Sequence, residues 1–394
     1  MDREKTKFND RQTTPDTKQM VYNSENSCPA CVSKINMTAW IENLLSDRHK
    51  KNAMPLLVFP GLALSGRNVL ELITDAHVQA ETIRLVTEKY PLPASVMVMD
   101  LSVEAEAFGS KVVFSPDEMP SIPSPLLTGP ESAEALEIPE TGSGRTGVPL
   151  AAASILAQKS GAINSEGLLF HKDPAVARRS GCCTIHTGQS VSRPLFSSTI
   201  GPFSLAGRLL EMSEALISIM IEPAMMKVLL EKCVTFLLSY IKAFKIAGAN
   251  GVIIAEPSAG LLSPDMCMEF SSVYVKRIVD EVQDDYFKVI LHNCGNTVPL
   301  VQAMLHTGAA GYHFGNSVDM RDIVPNIPKT KLAMGNIDPV GVIKKGSPAT
   351  IKAAVKALLE QMSPYVNFIL SSGCDIPPGT PLENVDAFFN AAIN

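Results

Sequence analysis

From residue 54 onward the chain repeats one rhythm: short apolar runs ending in Gly, Asp, Asn or Pro, each followed by a longer stretch with helical spacing. Runs that stay apolar without alternation are expected of strands buried on both faces, as in a parallel sheet. Eight can be marked, at 55–60, 95–100, 195–200, 251–256, 288–292, 310–314, 331–336 and 367–371. Eight strand–helix units predict an α/β fold, a single-domain (β/α)8 TIM barrel. An open doubly wound sheet would want a glycine-rich phosphate loop after the first run, and none is present. Ser263-Pro264, Ser347-Pro348 and Thr380-Pro381 each set a capping hydroxyl before a proline, and Thr380 with Glu383 has capping-box spacing. Long helices are predicted over 223–247 and 264–282.

Three stretches break the rhythm. Residues 1–36 are polar and aperiodic, which predicts a flexible extension ahead of a barrel domain at 37–394. Residues 116–147 are rich in Pro, Ser, Thr and Gly and read as a long loop. Residues 165–193 carry Arg178-Arg179, Cys182-Cys183 and His186 without a clear period, as a functional lid would.

Composition changes this picture little. The 394 residues are 46% hydrophobic and 19% charged, enough apolar material for a large core, and the formal net charge is -6. No basic stripe is present, so nucleic acid is not an expected partner. No apolar run is long enough to span a bilayer, and the polar start lacks a signal-peptide core, so no membrane association is expected and the predicted location is the cytoplasm. A monomer or a homodimer is equally compatible with the chain.

The cysteines carry the chemistry. Eight thiols in a chain of this size do not make a disulfide framework and read instead as buried thiols, ligands or nucleophiles. His292 and Cys294 lie two apart at the end of the fifth predicted strand, so their side chains point the same way. The eighth predicted strand ends in Gly373-Cys374. Strand C-termini of a barrel gather on one face, which lets Cys374 approach the His292/Cys294 pair across eighty residues of chain. One imidazole and two thiolates suit Zn²⁺, and three protein ligands leave one position open, as in catalytic rather than structural zinc sites. Elsewhere, Cys28 and Cys31 have half a zinc-ribbon spacing with no second pair, adjacent Cys182 and Cys183 are poorly placed to chelate one ion, and Cys233 and Cys267 read as helical core.

Other strand ends offer weaker candidates. Asp100 ends the second predicted strand and Glu256 the fourth; each can face the site as a catalytic group, or cap the following helix. His313 alternates with Tyr312 near the sixth strand end. Asn336 and Asp338 close the seventh and are candidates to bind the co-substrate, although Asp338-Pro339 reads equally as a helix start. The single Trp40 and the methionines read as core.

At these residues the chain resembles the uroporphyrinogen decarboxylase superfamily, and within it the zinc-dependent methylcobamide:coenzyme M methyltransferases. The resemblance rests on Leu291-His-Asn-Cys-Gly-Asn-Thr297, Met334-Gly-Asn-Ile-Asp-Pro339 and Ser372-Gly-Cys-Asp-Ile-Pro-Pro-Gly-Thr-Pro-Leu-Glu-Asn384. Earlier matches are Phe59-Pro-Gly61, Met99-Asp100, Glu104-Ala-Glu-Ala-Phe-Gly109 and Ile200-Gly-Pro-Phe-Ser-Leu-Ala206. Together they cover roughly residue 37 to the end. The resemblance implies zinc on His292, Cys294 and Cys374, a methylated corrinoid as co-substrate brought by a separate corrinoid-binding protein, and a small-molecule thiol such as coenzyme M as acceptor. The decarboxylase branch carries an arginine-rich motif near the first strand; here residues 57–65 hold none, and the next arginine after them is Arg67. Asn316 stands where the coenzyme M enzymes carry an acidic residue, which makes it a candidate catalytic position and leaves tetrahydrofolate as another acceptor.

The implied chemistry follows from thiol acidity. A free thiol is mostly protonated at neutral pH and a poor nucleophile. Coordination to Zn²⁺ favours the thiolate, which attacks the methyl carbon of the corrinoid. The rival expectation is a metal-free tetrapyrrole decarboxylase that uses Asp100.

Overall fold

The computed structural model describes residues 35–46, 52–160 and 193–393. Seven parallel strands follow one another in chain order, β1 (Ser95–Val96), β2 (Leu195–Ile200), β3 (Gly251–Ala255), β4 (Lys288–Asn293), β5 (Gly311–Phe314), β6 (Leu332–Ile337) and β7 (Phe368–Ser372). Each pairs with the next, and helices fill most of the connections, as parallel pairing requires. The period-two side-chain alternation sorts every strand into two buried faces. Val252, Ile254, Val289, Leu291, Ala333 and Leu370 join the larger core beneath the helices. Val96, Phe196, Ile253, Ile290, Leu332, Met334 and Ile369 form a second, separate cluster. Side chains from β1 through β7 meet in one inner cluster because the sheet is curled.

The first predicted strand is corrected by the structure. Only Ala53 bridges β7, opposite Leu370, with Met54 N–H donating to Leu370 O at 2.8 Å. Beyond it the hydroxyls of β7 take the ladder positions: Ser371 Oγ donates to Met54 O at 2.8 Å, and Leu56 N–H donates to Ser372 Oγ at 3.1 Å. Residues Phe59–Gly61 then turn into the short helix Leu62–Ser65. The architecture seen is thus a curled seven-stranded sheet with an extended segment along β7, rather than eight laddered strands. Met54 and Leu56 nevertheless sit in the inner cluster. The second run is also shorter than expected: only Ser95 and Val96 pair with β2, and beyond them the Ser198 hydroxyl donates to Val98 O.

Helix α1 (Met37–Ser46) lies at the end of the sheet away from the strand C-termini. Met37 and Ile41 bury into the inner cluster, and Trp40 packs on Phe196 with ring centroids 5.7 Å apart. Its first turn is tied down by Met37 N–H to Asp285 O at 2.6 Å and Thr38 Oγ1 to Asp285 Oδ1 at 2.7 Å. Around the sheet, helix α2 (Pro202–Leu210) follows β2 and α3 (Pro223–Ile246) realises the predicted 223–247 helix. The predicted 264–282 helix runs as Pro264–Cys267, a π turn Met268–Ser272, and α4 (Val273–Val282). Ser263 and Ser347 cap as expected, accepting from Met266 N–H and Thr350 N–H. Thr380 does not: its hydroxyl donates to Pro377 O, and the last helix, α5 (Leu382–Ile393), begins two residues later.

The stretch read as a loop over 116–147 holds the short helices Pro130–Ala135 and Gly144–Thr146. The expectations for residues 1–34, for Cys28 and Cys31, and for Cys182 and Cys183 with their flanks fall outside the described residues. Among the described residues no helix is long and apolar enough to cross a membrane.

Candidate metal centre

Strand β4 alternates Ile290 and His292 inward with Leu291 and Asn293 outward, and carries that alternation one residue past its end to Cys294. Asn293 fixes the turn: Nδ2 donates to Glu256 O at 2.7 Å, and Oδ1 accepts Gly295 N–H at 2.8 Å. Cys374 arrives from the end of β7. The ligand atoms of His292, Cys294 and Cys374 lie within 4.8 Å of one another, and among the described residues this is the only set of three His, Cys, Asp or Glu donors that close. The spacing between Cys374 Sγ and His292 Nε2 is 3.7 Å.

Two glycines let the loops close. A Cβ on Gly315 would stand 2.5 Å from Cys294 Cα, and a Cβ on Gly373 would stand 2.6 Å from Asn316 N. The turn after β5 therefore lies directly against both cysteine-bearing turns. Asn316 is exposed there, beside Gly373, and Ser317 Oγ donates to Gly295 O at 2.7 Å.

The thiols are electrostatically unequal. Contacts with Cys374, then His292, hold the Cys294 thiol well below the usual thiol range, while the contact with Cys294, then burial, pushes Cys374 up. Beneath them, buried His292 and His313 face each other across the β4–β5 register, Nδ1 to Nδ1 at 2.7 Å. Burial, then the neighbouring His292, hold His313 well below the ordinary imidazole range. The His313 ring continues through Nε2 to Ser371 Oγ at 2.8 Å, and Ser371 Oγ donates to Met54 O at 2.8 Å.

The other candidates are placed differently. Asp100 is locked in a buried ion pair: Oδ2 accepts from Arg145 Nη1 at 2.5 Å, and Oδ1 from the Ser102 hydroxyl at 2.6 Å. Arg145 Nε also bonds Glu106 at 2.6 Å, Nη2 bonds Ser102 Oγ at 2.8 Å, and the guanidinium stacks over Phe114. Glu256 caps α2, its carboxylate accepting Phe203 N–H at 3.1 Å and Ser204 N–H at 2.6 Å, and burial pushes it up to about 7. Its backbone N–H donates to His292 O, so it steadies the ligand strand from below. Asn336 Nδ2 bonds Gly315 O and Val318 O, pinning the turn that touches Cys294. Asp338 accepts Val340 and Gly341 N–H at 2.9 Å, the helix-start role. The structure thus brings His292, Cys294, Cys374 and Asn316 together. It leaves Asp100, Glu256 and Asn336 bonded to neighbouring segments and Asp338 bonded within its own turn.

Sequence reasoning missed Arg145, Glu104, Glu106 and the Ser371 contact. Glu104 is fully buried, accepts from Thr199 Oγ1 at 2.7 Å and Ile200 N–H at 3.1 Å, and leaves Oε2 without a partner; burial pushes its carboxyl up to about 7. An Asp-x-x-x-Glu-x-Glu pattern after a strand end was the available signal for a partner cation.

Comparison with known proteins fits this arrangement. The family profile described as Uroporphyrinogen decarboxylase (URO-D) matches residues 58–166 and 183–394. The chain belongs to the uroporphyrinogen decarboxylase family. One relative in sequence is the methylcobamide:CoM methyltransferase MtbA of Methanosarcina acetivorans, 27% identical over 336 residues, covering 81% of this chain and 86% of the relative. A uroporphyrinogen decarboxylase of Alcanivorax borkumensis is 24% identical over 340 residues, covering 82% and 85%. In structure, a methyltransferase from Methanosarcina mazei superposes with a TM-score of 0.74 at 22% identity, covering 91% of this chain and 97% of its own. That likeness gives the URO-D family fold to the curled sheet. The family holds both activities, so the choice between them rests on the chemistry at the strand ends.

Proposed function

We propose that this chain is a zinc-dependent methyltransferase that moves a methyl group from a methylated corrinoid to a thiol such as coenzyme M. The observation that carries the reading is the convergence of His292, Cys294 and Cys374 from two strand ends onto a space the size of one ion. Zinc bonds of about 2.3 Å to sulfur and 2.0–2.1 Å to nitrogen, set at tetrahedral angles, separate S and N by roughly 3.6 Å. The 3.7 Å between Cys374 Sγ and His292 Nε2 suits that geometry. A Zn²⁺ held there would supply Lewis acidity that favours the thiolate form of an incoming thiol near neutral pH.

The chain's own residues do the rest. His292, Cys294 and Cys374 bind; Glu256 holds the end of β4 that carries His292 and Cys294, and Asn336 holds the turn after β5 that packs against both cysteines; Asn316 borders the open side with a neutral amide that does not repel a thiolate. Asp100 is proposed to line the mouth, where Arg145 holds it in place. As the sulfur–carbon bond forms, the carbon–cobalt bond breaks and its electron pair stays on cobalt, so no further reductant is needed. A corrinoid is too large for the interior and is proposed to come on a corrinoid-binding protein docked over the strand ends. We also read residues 37–394 as one (β/α)8 barrel in which the segment after Ala53 serves as the eighth stave, supported by Ile376 N–H to Leu56 O and by Met99 N–H on the Asp375 carboxylate across the seam.

A metal-free decarboxylase would need free cations for its substrate's carboxylates, and the guanidinium of Arg145 is already held by two of the chain's own. The deciding experiment measures zinc in the purified protein and follows demethylation of methylcobalamin with coenzyme M, other thiols and tetrahydrofolate. About one zinc per chain and thiol-dependent loss of the methyl group are expected. Metal-free protein that decarboxylates uroporphyrinogen and demethylates nothing would replace this reading.

A further inference from the structure

We propose that His313 and Ser371 are positioning residues that fix the tautomer of His292 through a neutral hydrogen-bond relay, and so set how tightly the site holds its metal. This rests on the zinc reading of the site and extends it to residues outside the ligand set.

The direction of the relay follows from donor counting. Met54 O can only accept, and Ser371 Oγ lies 2.8 Å from it, so the single hydroxyl proton points there. Ser371 Oγ then faces His313 Nε2 as an acceptor, at 2.8 Å, and Nε2 must carry the proton. In a neutral ring that leaves His313 Nδ1 bare. It lies 2.7 Å from His292 Nδ1, which must therefore be the protonated nitrogen of its own ring. The remaining atom, His292 Nε2, is left with a free lone pair, and it is the atom that faces Cys374 Sγ. Reversal of any one bond would put a proton on Nε2 and close it to a cation. All three side chains are buried, so no bulk water stands ready to substitute for a missing partner.

The chemistry of the partner matters as well as its position. Ligating histidines commonly donate their second N–H to a carboxylate, a carbonyl or a water. A carboxylate draws the proton and adds negative charge to the site. Here the partner is a neutral imidazole ending on a neutral hydroxyl and a carbonyl. With two thiolates neutralising a divalent ion, a neutral relay leaves the site uncharged before substrate arrives, which favours the approach of one more thiolate.

The test uses full-length protein stripped with a chelator, then titrated with zinc against a chromophoric competitor, with the visible spectrum of the cobalt(II) form as a second readout. His313→Phe should weaken zinc binding by about 10- to 100-fold and shift the cobalt bands. His313→Gln, whose amide can accept from His292 and donate to Ser371, should restore binding to within a few-fold of wild type. Equal zinc affinity and an unchanged cobalt spectrum in His313→Phe would overturn the proposal. So would an equal loss in the Phe and Gln variants, which would trace the effect to packing. Should His313→Phe fail to fold, Ser371→Ala decides: weaker binding supports the relay and wild-type binding overturns it. A wild-type chain that takes up no zinc would overturn the functional reading and this inference together, whereas zinc bound equally by wild type and variants would overturn the relay alone.

Discussion

Two polar clusters are buried near the strand C-termini, and they are built on opposite principles. Under the end of β1, Asp100, Glu106 and Ser102 surround Arg145, and every charge there is answered by another within the protein. At the ends of β4 and β7, His292, Cys294 and Cys374 turn three donors toward one point with no protein cation among them. A cluster whose charged groups are paired with one another holds structure, because its members are already committed to each other. A convergent set of donors without a counter-charge stores binding capacity for something from outside. Both contain residues with strand-end chemistry, so position alone does not tell a site from a strut; what distinguishes them is whether the polar groups already have partners within the protein.

The sharpest way to break this comparison is to remove a donor from the open set. Cys294→Ala should cut methyl transfer by at least about 10³-fold and release most of the zinc, while the circular dichroism spectrum stays that of the wild type. A variant that keeps its metal and its rate would end the distinction. Next in size is the closed set. Arg145→Met leaves Asp100 and Glu106 without their cation and should cost on the order of 3–5 kcal/mol in chemical denaturation. The zinc content of the folded fraction should be unchanged, since Arg145 touches no donor of the metal set.

A third prediction concerns the lone buried acid beside the closed set. Glu104 has a folded-state pKa of about 7 against 4.5 for an exposed carboxyl. The folded state binds its proton more tightly, so this contribution to stability is fully present below pH 4.5 and is lost as pH rises through 7. Glu104→Gln should remove roughly 3 kcal/mol of that decline, read as a flatter stability profile between pH 5 and 7.5. An unchanged slope would mean the carboxyl is not strained by burial. The smallest effect is expected from deleting residues 1–30, polar and aperiodic in sequence. The melting temperature should move by no more than about 2 °C, and a large drop would show that the extension is packed.

Much of this was legible in the chain. Strands β2 to β7 lie within a residue or two of the apolar runs that predict them, because a strand buried on both faces must be apolar throughout. The convergence of the three donors was legible because His292 and Cys294 share a strand face and Cys374 ends another strand. The first run misled, since its apolar content satisfies burial while the Ser371 and Ser372 hydroxyls take the backbone bonds a ladder would use. Asp338 shows the opposite limit: the sequence allowed both a binding role and a helix cap, and the hydrogen bonds to Val340 and Gly341 place it in the cap. Arg145 was illegible because its partners lie some forty residues earlier and nothing periodic links them. The relay was hidden for a related reason. His313 and Ser371 lie on β5 and β7 and meet across the inside of the curl, a contact that only the curvature creates.

That curvature has a kinetic consequence through α1. With Met37 and Ile41 packed into one end of the inner cluster, that end of the curl is filled by side chains. A corrinoid protein seated over the opposite end would shut in whatever lay beneath it. Methyl transfer should then follow a compulsory order, with the small acceptor entering first, the large donor arriving second and departing third, and the methylated acceptor leaving last. Product inhibition patterns would show this directly: the methylated acceptor should compete with the free acceptor for the empty enzyme, and saturation with the corrinoid protein should not relieve it.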